Sequence, residues 1–258
     1  MFFRWFRRRR IRRTPFPPKW RLLLHRTLRF WADLSADEQA RMEDEIRFFI
    51  AERNWEGCGG LELDESMQVL IAAQACRLLL GRPNERFSNV SAILVYPSGY
   101  FTGPEQTSVL GAGARIVESG GKPVLGQAHQ NGPVILSWSH TVAGAVHDDD
   151  GENVVLHEFA HKLDMMNGVV DGTPRMDSAE QAKAWHEAMT AARERLQQDL
   201  RLGLPAPLRP YALTNPGEFF AVSTEVFFER PDAMAEWDEE LYRVLAEWYR
   251  QDPLARRS

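Results

Sequence analysis

Cysteine is nearly absent from this sequence, with only Cys58 and Cys76 among its 258 residues. Two cysteines are too few for a disulfide framework, and they also exclude a zinc site built from several thiolates. Cys76 falls in an apolar stretch, where a reduced and buried thiol is the expected state. The cysteine content therefore favours a reducing compartment, and we expect the protein to be cytoplasmic.

Long hydrophobic runs are missing as well. No stretch of about 18 apolar residues is present, which excludes a transmembrane helix, and no apolar core of a secretory signal follows the first basic residues. Eight tryptophans and a hydrophobic content of 44% nevertheless indicate a globular protein. The length of the chain is ample for one large domain with its own core.

Acidic residues are absent from residues 1–20, which contain eight lysines and arginines. Because the whole chain carries a net charge of −5, removing these eight positive charges leaves −13 on the remainder. We predict that residues 1–19 form a basic, disordered and dispensable arm. The alternative is a contact between residues 4–13 and an anionic surface, whereas direct binding of nucleic acid is not expected.

Residues 154–164 contain the pattern His157-Glu158-x-x-His161 within an apolar, glycine-free stretch. An α-helix places the two histidines about 40° apart on one face and roughly 6 Å apart along its axis. Two imidazoles so placed can bind one Zn²⁺, with Glu158 beside the water that the metal activates. The alternative is a chance pair of histidines on a solvated helix face.

A catalytic zinc ion takes three protein ligands and keeps one open position. A longer form of the pattern, His-Glu-x-x-His-x-x-Gly-x-x-His, is excluded because Asp164 and Asn167 occupy the last two positions. The third ligand must then come from a later segment. The candidates are Glu218, Glu225, Glu229 and His186.

Glu218 follows Asn215 and Pro216, which are typical of a helix N-cap and a first helical residue. Counted from Pro216, this spacing makes Glu218 the third helical residue of a predicted helix over residues 215–229, with Asn215 as its cap. A capping box also places a glutamate at that position, so the residues alone leave open whether Glu218 caps the helix or binds metal.

The hydrophobic periodicity of the rest of the chain predicts an α+β protein. Helices are expected over residues 35–52, 64–80, 177–202, 215–229 and 232–251, and strands over residues 92–96, 114–118, 124–128 and 134–138. The strand at 134–138 is predicted either to pair with substrate as an edge strand or to lie in the core. The acids of residues 147–152 favour a helix start over a Ca²⁺ loop, because they lack the ligand spacing of one.

Two segments resemble the Mlc titration factor A family of zinc peptidases. They are residues 156–164, Leu-His-Glu-Phe-Ala-His-Lys-Leu-Asp, and residues 211–221, which begin with Tyr211 and contain Asn-Pro-Gly-Glu-Phe-Phe-Ala. The catalytic domain of anthrax lethal factor is similar at the same two places. The resemblance extends through residues 71–76, 93–97 and 132–138 and covers roughly residues 20–250, so the basic arm falls outside it.

The resemblance implies a zincin-like (gluzincin) metallopeptidase fold, with a small mixed sheet packed on helices. It implies one zinc-peptidase domain at residues 20–252, with a helical part at about 20–85 and a catalytic part at about 86–252. Its pattern makes His157, His161 and Glu218 the ligands of one Zn²⁺ per chain. Glu158 becomes the general base, and Tyr211 faces the metal.

The implied activity is that of an aminopeptidase-like enzyme acting on a peptide or protein substrate. The alternative is a regulatory binding protein that sequesters a DNA-binding transcriptional repressor with little or no proteolysis. Two further assignments stay open. Asp164 either orients a ligand imidazole or is a surface acid, and Tyr211 either donates to the developing oxyanion or packs beside the proline-rich connector.

Overall fold

The computed structural model describes residues 2–101, 123–124, 126–128 and 132–256. Within these ranges the helices are α1 (Phe2–Arg12), α2 (Pro18–Thr27), α3 (Ala36–Ala51), α4 (Glu65–Arg77), α5 (Trp138–Val146), α6 (Val154–Asp164), α7 (Ala179–Leu202), α8 (Pro216–Glu229), α9 (Pro231–Trp237), α10 (Glu239–Tyr249) and α11 (Pro253–Arg256). The strands are β1 (Asn54–Gly57), β2 (Ala92–Tyr96), β3 (Tyr100–Phe101), β4 (Pro123–Val124), β5 (Gly126–Ala128) and β6 (Val134–Ser137). The strand predicted at 114–118 lies outside the described residues.

Side-chain caps explain where several helices begin. Ser35 and Glu38 form the predicted capping box at the start of α3. Asn215 accepts a hydrogen bond of 2.9 Å from the backbone N–H of Glu218, which fixes the first turn of α8. Asp238, in an extended conformation, caps α10, so the single helix predicted over 232–251 is divided into α9 and α10.

The main sheet has the strand order β1–β2–β6–β5, with β1, β2 and β6 parallel and β5 antiparallel to β6. All four residues of β6 are buried, and β6 pairs with β2 on one side and β5 on the other. The interpretation of this strand as an edge strand is therefore wrong, and the core interpretation is confirmed. Trp138 begins α5 instead of ending the strand.

Two helices, α6 and α8, pack against each other through the middle of the protein, and α6 also contacts α4, β5 and β6. Within α8, Glu218 is the one residue between Gly217 and Glu229 that is not buried. A helix buried on nearly all sides brings its polar side chains into the interior, where they require partners. In the described part of the chain, no helix combines the length and the hydrophobicity that crossing a bilayer requires.

The prediction of a disordered N-terminal arm is wrong for the described residues. Arg8 donates two hydrogen bonds, of 2.5 and 2.8 Å, to the carboxylate of Glu52, and its guanidinium lies 4.3 Å from the ring centre of Phe48. Arg12 donates to Asp44 at 3.0 Å. The physical reason is charge complementarity. The helix α1 packs on α3, where Asp44 and, at the C-terminal end, Glu52 neutralise two of its arginines.

We predict that Arg8→Met lowers the free energy of unfolding by about 1–2 kcal/mol, because it removes two charge-assisted hydrogen bonds while keeping an apolar stem. The matched control is Arg7→Met, one residue away on an exposed part of α1, which should change the stability by less than about 0.5 kcal/mol. Urea denaturation measures both. Equal effects of the two substitutions would show that the Arg8 contact adds nothing to stability.

Candidate metal centre

The helix α6 begins at a buried cap that joins three parts of the protein. Asn153 Oδ1 accepts hydrogen bonds of 3.0 Å from the backbone N–H groups of Val155 and Leu156. Its Nδ2 donates to Gln74 on α4 at 2.8 Å and to Glu229 on α8 at 2.9 Å. The start of α6, and with it the direction in which its histidines point, is therefore fixed from both neighbouring helices.

Three side chains predicted to bind metal converge on one point. His157 Nε2 and His161 Nε2 lie 2.9 and 3.4 Å from Glu218 Oε2, and 3.2 Å from each other. Among the described residues, this is the cluster of histidine and acidic side chains arranged to hold a metal ion. The side chain of Glu218 thus faces the histidines, while Asn215 caps the helix.

The donor set fits a divalent metal ion. Two imidazole nitrogens and one carboxylate oxygen at bond lengths of about 2.0–2.2 Å imply ligand-to-ligand separations of about 3.4 Å around a tetrahedral Zn²⁺. The observed separations of 2.9–3.4 Å are close to this value. Glu218 Oε2 is also buried without a well-aligned hydrogen bond from a described donor, as expected for an atom whose partner is a cation.

Glu225 orients the first histidine. Its Oε1 lies 2.7 Å from His157 Nδ1 and accepts a hydrogen bond of 2.7 Å from Arg209 Nη2. Its Oε2 accepts a hydrogen bond of 2.7 Å from the backbone N–H of Asn153. This carboxylate accepts a hydrogen bond from Nδ1–H, so the proton that His157 can release to a metal ion is the one on Nε2, which faces the cluster.

The charges around the cluster change the pKa values of two ligands. Burial alone would lower the pKa of His157, but the charges of Glu225 and Glu218 raise it to about 10. Burial would raise the pKa of Glu218, but the two imidazoles hold it well below its usual range. Metal binding at this site therefore displaces a proton from His157 and meets a carboxylate that is already ionised.

Glu158 and Tyr211 are far apart in the sequence but both lie beside the His157–His161–Glu218 cluster. Glu158 is 5% exposed, and burial raises its pKa above the usual range. Tyr211 is half exposed, and its ring centre is 6.1 Å from that of His157. Burial, together with Glu218 as a charge and an acceptor, raises the pKa of Tyr211, so its hydroxyl keeps its proton.

Asp164 is fully buried, which excludes the interpretation of this residue as a surface acid. Its Oδ2 accepts a hydrogen bond of 3.0 Å from the backbone N–H of Gly172. Gly172 has φ +77°, and a Cβ there would lie 2.4 Å from the carbonyl oxygen of Pro216. The loop after α6 is thereby held against the first turn of α8, the turn that carries Glu218.

A buried lysine fixes the helix α6 against the main sheet. Lys162 is fully buried, and its Nζ donates to the carbonyl oxygens of Asn89 at 3.2 Å and Gly132 at 3.0 Å. Burial lowers the pKa of Lys162 to about 8, although the charge of Glu158 opposes the shift. Because Gly132 shortly precedes β6, this side chain ties α6 to the start of the central strand.

The other ligand candidates lie elsewhere. Glu229 accepts from Asn153, and His186 lines a separate cleft of about 250 Å³ between α7 and the start of α8. The position of Glu225 near the cluster can be predicted from the sequence, because it follows Glu218 by seven residues and therefore lies on the same face of a helix. Arg209 lies on the proline-rich connector, residues 204–210, and no spacing in the sequence relates it to Glu225.

Comparisons with known proteins relate the chain to a family of metallopeptidases. A model of the family described as glucose-regulated metallo-peptidase M90 matches residues 2–250. Mlc titration factor A of Klebsiella pneumoniae is 34% identical over 231 residues, which cover 88% of this chain and 84% of that protein. The corresponding protein of Salmonella typhi is 33% identical over 229 residues, covering 87% and 83%. An uncharacterized protein of Synechocystis is 32% identical over 250 residues, covering 96% and 90%.

We predict that Glu218→Gln weakens Zn²⁺ binding more than Glu225→Gln does, because only Glu218 directs an oxygen at both imidazoles. Loss of an orienting carboxylate costs roughly 10–100-fold in metal affinity, and loss of a ligand costs more. Competition with a chelator measures both affinities, and circular dichroism checks that α8 survives. If Glu225→Gln abolished stoichiometric binding while Glu218→Gln kept it, the ligand assignment would be wrong.

We also predict that Gly172→Ala weakens metal binding and destabilises the fold, because the added Cβ displaces Pro216 and the turn that carries Glu218. Gly168→Ala is the control, since Gly168 has φ +90° but no atom lies within 4 Å of the position that its Cβ would take. Both substitutions incur the same backbone strain. Gly172→Ala should cost about 1–3 kcal/mol more, the range for overpacking. Indistinguishable unfolding curves and zinc affinities would refute the contact.

Proposed function

The chain belongs to the glucose-regulated M90 metallopeptidase family, and from that premise we propose that it is a zinc-dependent peptidase with a zincin-like catalytic site. The observation that carries the proposal is the convergence of His157 Nε2, His161 Nε2 and Glu218 Oε2 within a few ångströms. Two imidazoles and one carboxylate form a donor set that suits Zn²⁺ and leaves a fourth position open. Zinc bound there supplies an activated water as nucleophile and polarises the scissile carbonyl.

Glu158 is the proposed general base. It stands on the same helix as both histidine ligands and is buried beside them, where its raised pKa favours acceptance of a proton from the attacking water. The carboxylic acid formed in that step then gives the proton to the leaving amine. Lys162, four residues later on the same helix, contributes a nearby positive charge.

Tyr211 is the proposed oxyanion donor. Its hydroxyl stays protonated near Glu218, and the half-exposed ring leaves it accessible to a substrate next to His157. A hydroxyl in this position can donate a hydrogen bond to the oxygen that becomes negative as the carbonyl carbon is attacked. The competing packing role is disfavoured, because half of the side chain meets solvent.

The substrate we propose is a peptide or protein, cleaved in the manner of an aminopeptidase, as the resemblance implies. An aminopeptidase requires a free α-amino group, so pairs of peptides with free and acetylated N-termini separate this activity from that of an endopeptidase. The two free cysteines, Cys58 and Cys76, are consistent with action in the reducing cytoplasm.

A second candidate function is regulatory binding. The relatives from Klebsiella pneumoniae and Salmonella typhi carry the name Mlc titration factor A, which describes those proteins by an effect on Mlc. For this chain we propose a transcriptional repressor as a protein partner, either in addition to proteolysis or instead of it. The buried Glu158 favours the enzyme, because a binding surface needs no general base between two metal ligands.

We predict that Glu158→Gln keeps stoichiometric zinc and lowers kcat roughly 100-fold or more, because the substitution preserves shape and removes only the base. Glu187→Gln, the same chemical change on an exposed part of α7, is the control and should leave kcat unchanged. Tyr211→Phe should also retain zinc and cost roughly 10–1,000-fold in kcat, the range for one oxyanion donor.

Metal content by mass spectrometry and turnover of fluorogenic peptides give these quantities. A fully active Glu158→Gln protein would disprove the proposed enzyme mechanism, whereas an unchanged Tyr211→Phe protein would remove only Tyr211 from it. If the wild type binds zinc and a repressor protein but cleaves none of the peptides, the regulatory function is favoured instead.

A further inference from the structure

The N-terminal helix α1 has two faces with different partners. Its inner face carries Arg8 and Arg12, which are paired with acids of α3 and its C-terminal end. These contacts hold the helix on the protein and neutralise part of its charge. The opposite face is the part of α1 whose purpose the fold does not explain.

The outer face combines an aromatic side chain with arginines. Phe6 is 61% exposed, and Arg10 follows it by four residues, so these two share one side of α1, while Arg13 lies in the turn directly after the helix. Arg10 and Arg13 are exposed, and neither forms an ion pair with an acid in the described part of the chain. The face is therefore apolar and positively charged at once.

This combination matches the surface of an anionic lipid membrane. Helices that lie in the membrane interface carry arginine or lysine together with phenylalanine, because the aromatic rings enter the headgroup boundary while the cations meet anionic headgroups. The sequence before Arg7 adds Phe2, Phe3 and Trp5 to Phe6, and residues 1–20 contain no acid that would repel such headgroups. A nucleic-acid duplex would attract the arginines, but its bases are already stacked and offer no apolar layer for an exposed ring.

We propose that α1 docks the protein on anionic membranes, with Phe6, Arg10 and Arg13 against the lipid headgroups and Arg8 and Arg12 still paired with α3. The helix then acts as a peripheral anchor lying in the plane of the interface. This role is independent of the proposed peptidase activity, because none of these residues belongs to the metal cluster.

The affinity expected of such an anchor is modest and salt-dependent. Each arginine near an anionic surface contributes about fivefold to partitioning, an effect that falls off as salt screens the charges. A single short helix gives reversible binding, so the protein should exchange between membrane and solution.

The test is sedimentation of the full chain with phosphatidylcholine vesicles, prepared with and without phosphatidylglycerol, at low and high salt. We expect binding to the anionic vesicles only, and release at high salt. Arg10→Gln/Arg13→Gln should lower the partition coefficient roughly 25-fold, and Phe6→Ser should lower it as well. Arg175→Gln/Arg201→Gln, which removes the same charge from exposed positions elsewhere, is the matched control and should bind as the wild type does.

Zinc content and melting temperature should be the same in all these variants, because the substituted side chains face solvent. Absence of binding to anionic vesicles would overturn the proposal, and so would equal losses in the test and control pairs. Retention of a DNA duplex without retention of anionic vesicles would overturn it too, and would assign the basic face to nucleic acid.

Discussion

The buried carboxylate of Glu225 is the interaction on which the rest of the site depends. This carboxylate is 1% exposed and accepts hydrogen bonds from the guanidinium of Arg209 and the backbone N–H of Asn153. It also lies 2.7 Å from His157 Nδ1. A buried charge is tolerated only when such partners replace water, and removing any one of them is costly. Because Glu225 belongs to α8 and its partners come from residues 204–210 and from α6 with its cap, one carboxylate sets the relative positions of three segments.

The same principle extends to the surroundings of Glu225. The Asn153 side chain links α6 to Gln74 and Glu229, and burial raises the pKa of Glu229 to about 8 despite the hydrogen bond from Asn153. Lys162 and Asp164, at the other end of α6, bind backbone groups of the flanking loops. Polar side chains therefore anchor α6 at both ends, while its apolar side chains fill the core.

What the sequence predicts well is local. The capping box at Ser35, the strand β2 and the pairing of His157 with His161 follow from spacings of two to four residues, and the structure has them at those positions. The role of Glu218 as a metal ligand could be predicted only from the family resemblance, because a glutamate in the first turn of a helix is equally well explained as part of a capping box. The Arg209 contact joins residues that no periodicity relates, so sequence reasoning had no access to it. The order of the N-terminal helix does not follow from its own arginines, because it depends on two distant acids, Asp44 in α3 and Glu52 at its end.

These observations bear on how the metal centre forms. His157 is oriented by Glu225, Glu218 is placed by the Asn215 cap, and both arrangements consist of protein contacts alone. A site whose ligands are held by such contacts needs little rearrangement to bind an ion, so more of the intrinsic metal affinity is retained. The cost lies in the buried charges, which need partners in the packed protein because they have lost their contacts with water. The packing of α6 on α8 and the geometry of the candidate site are consequently linked, since Glu225 of α8 bonds both the cap of α6 and the imidazole of His157.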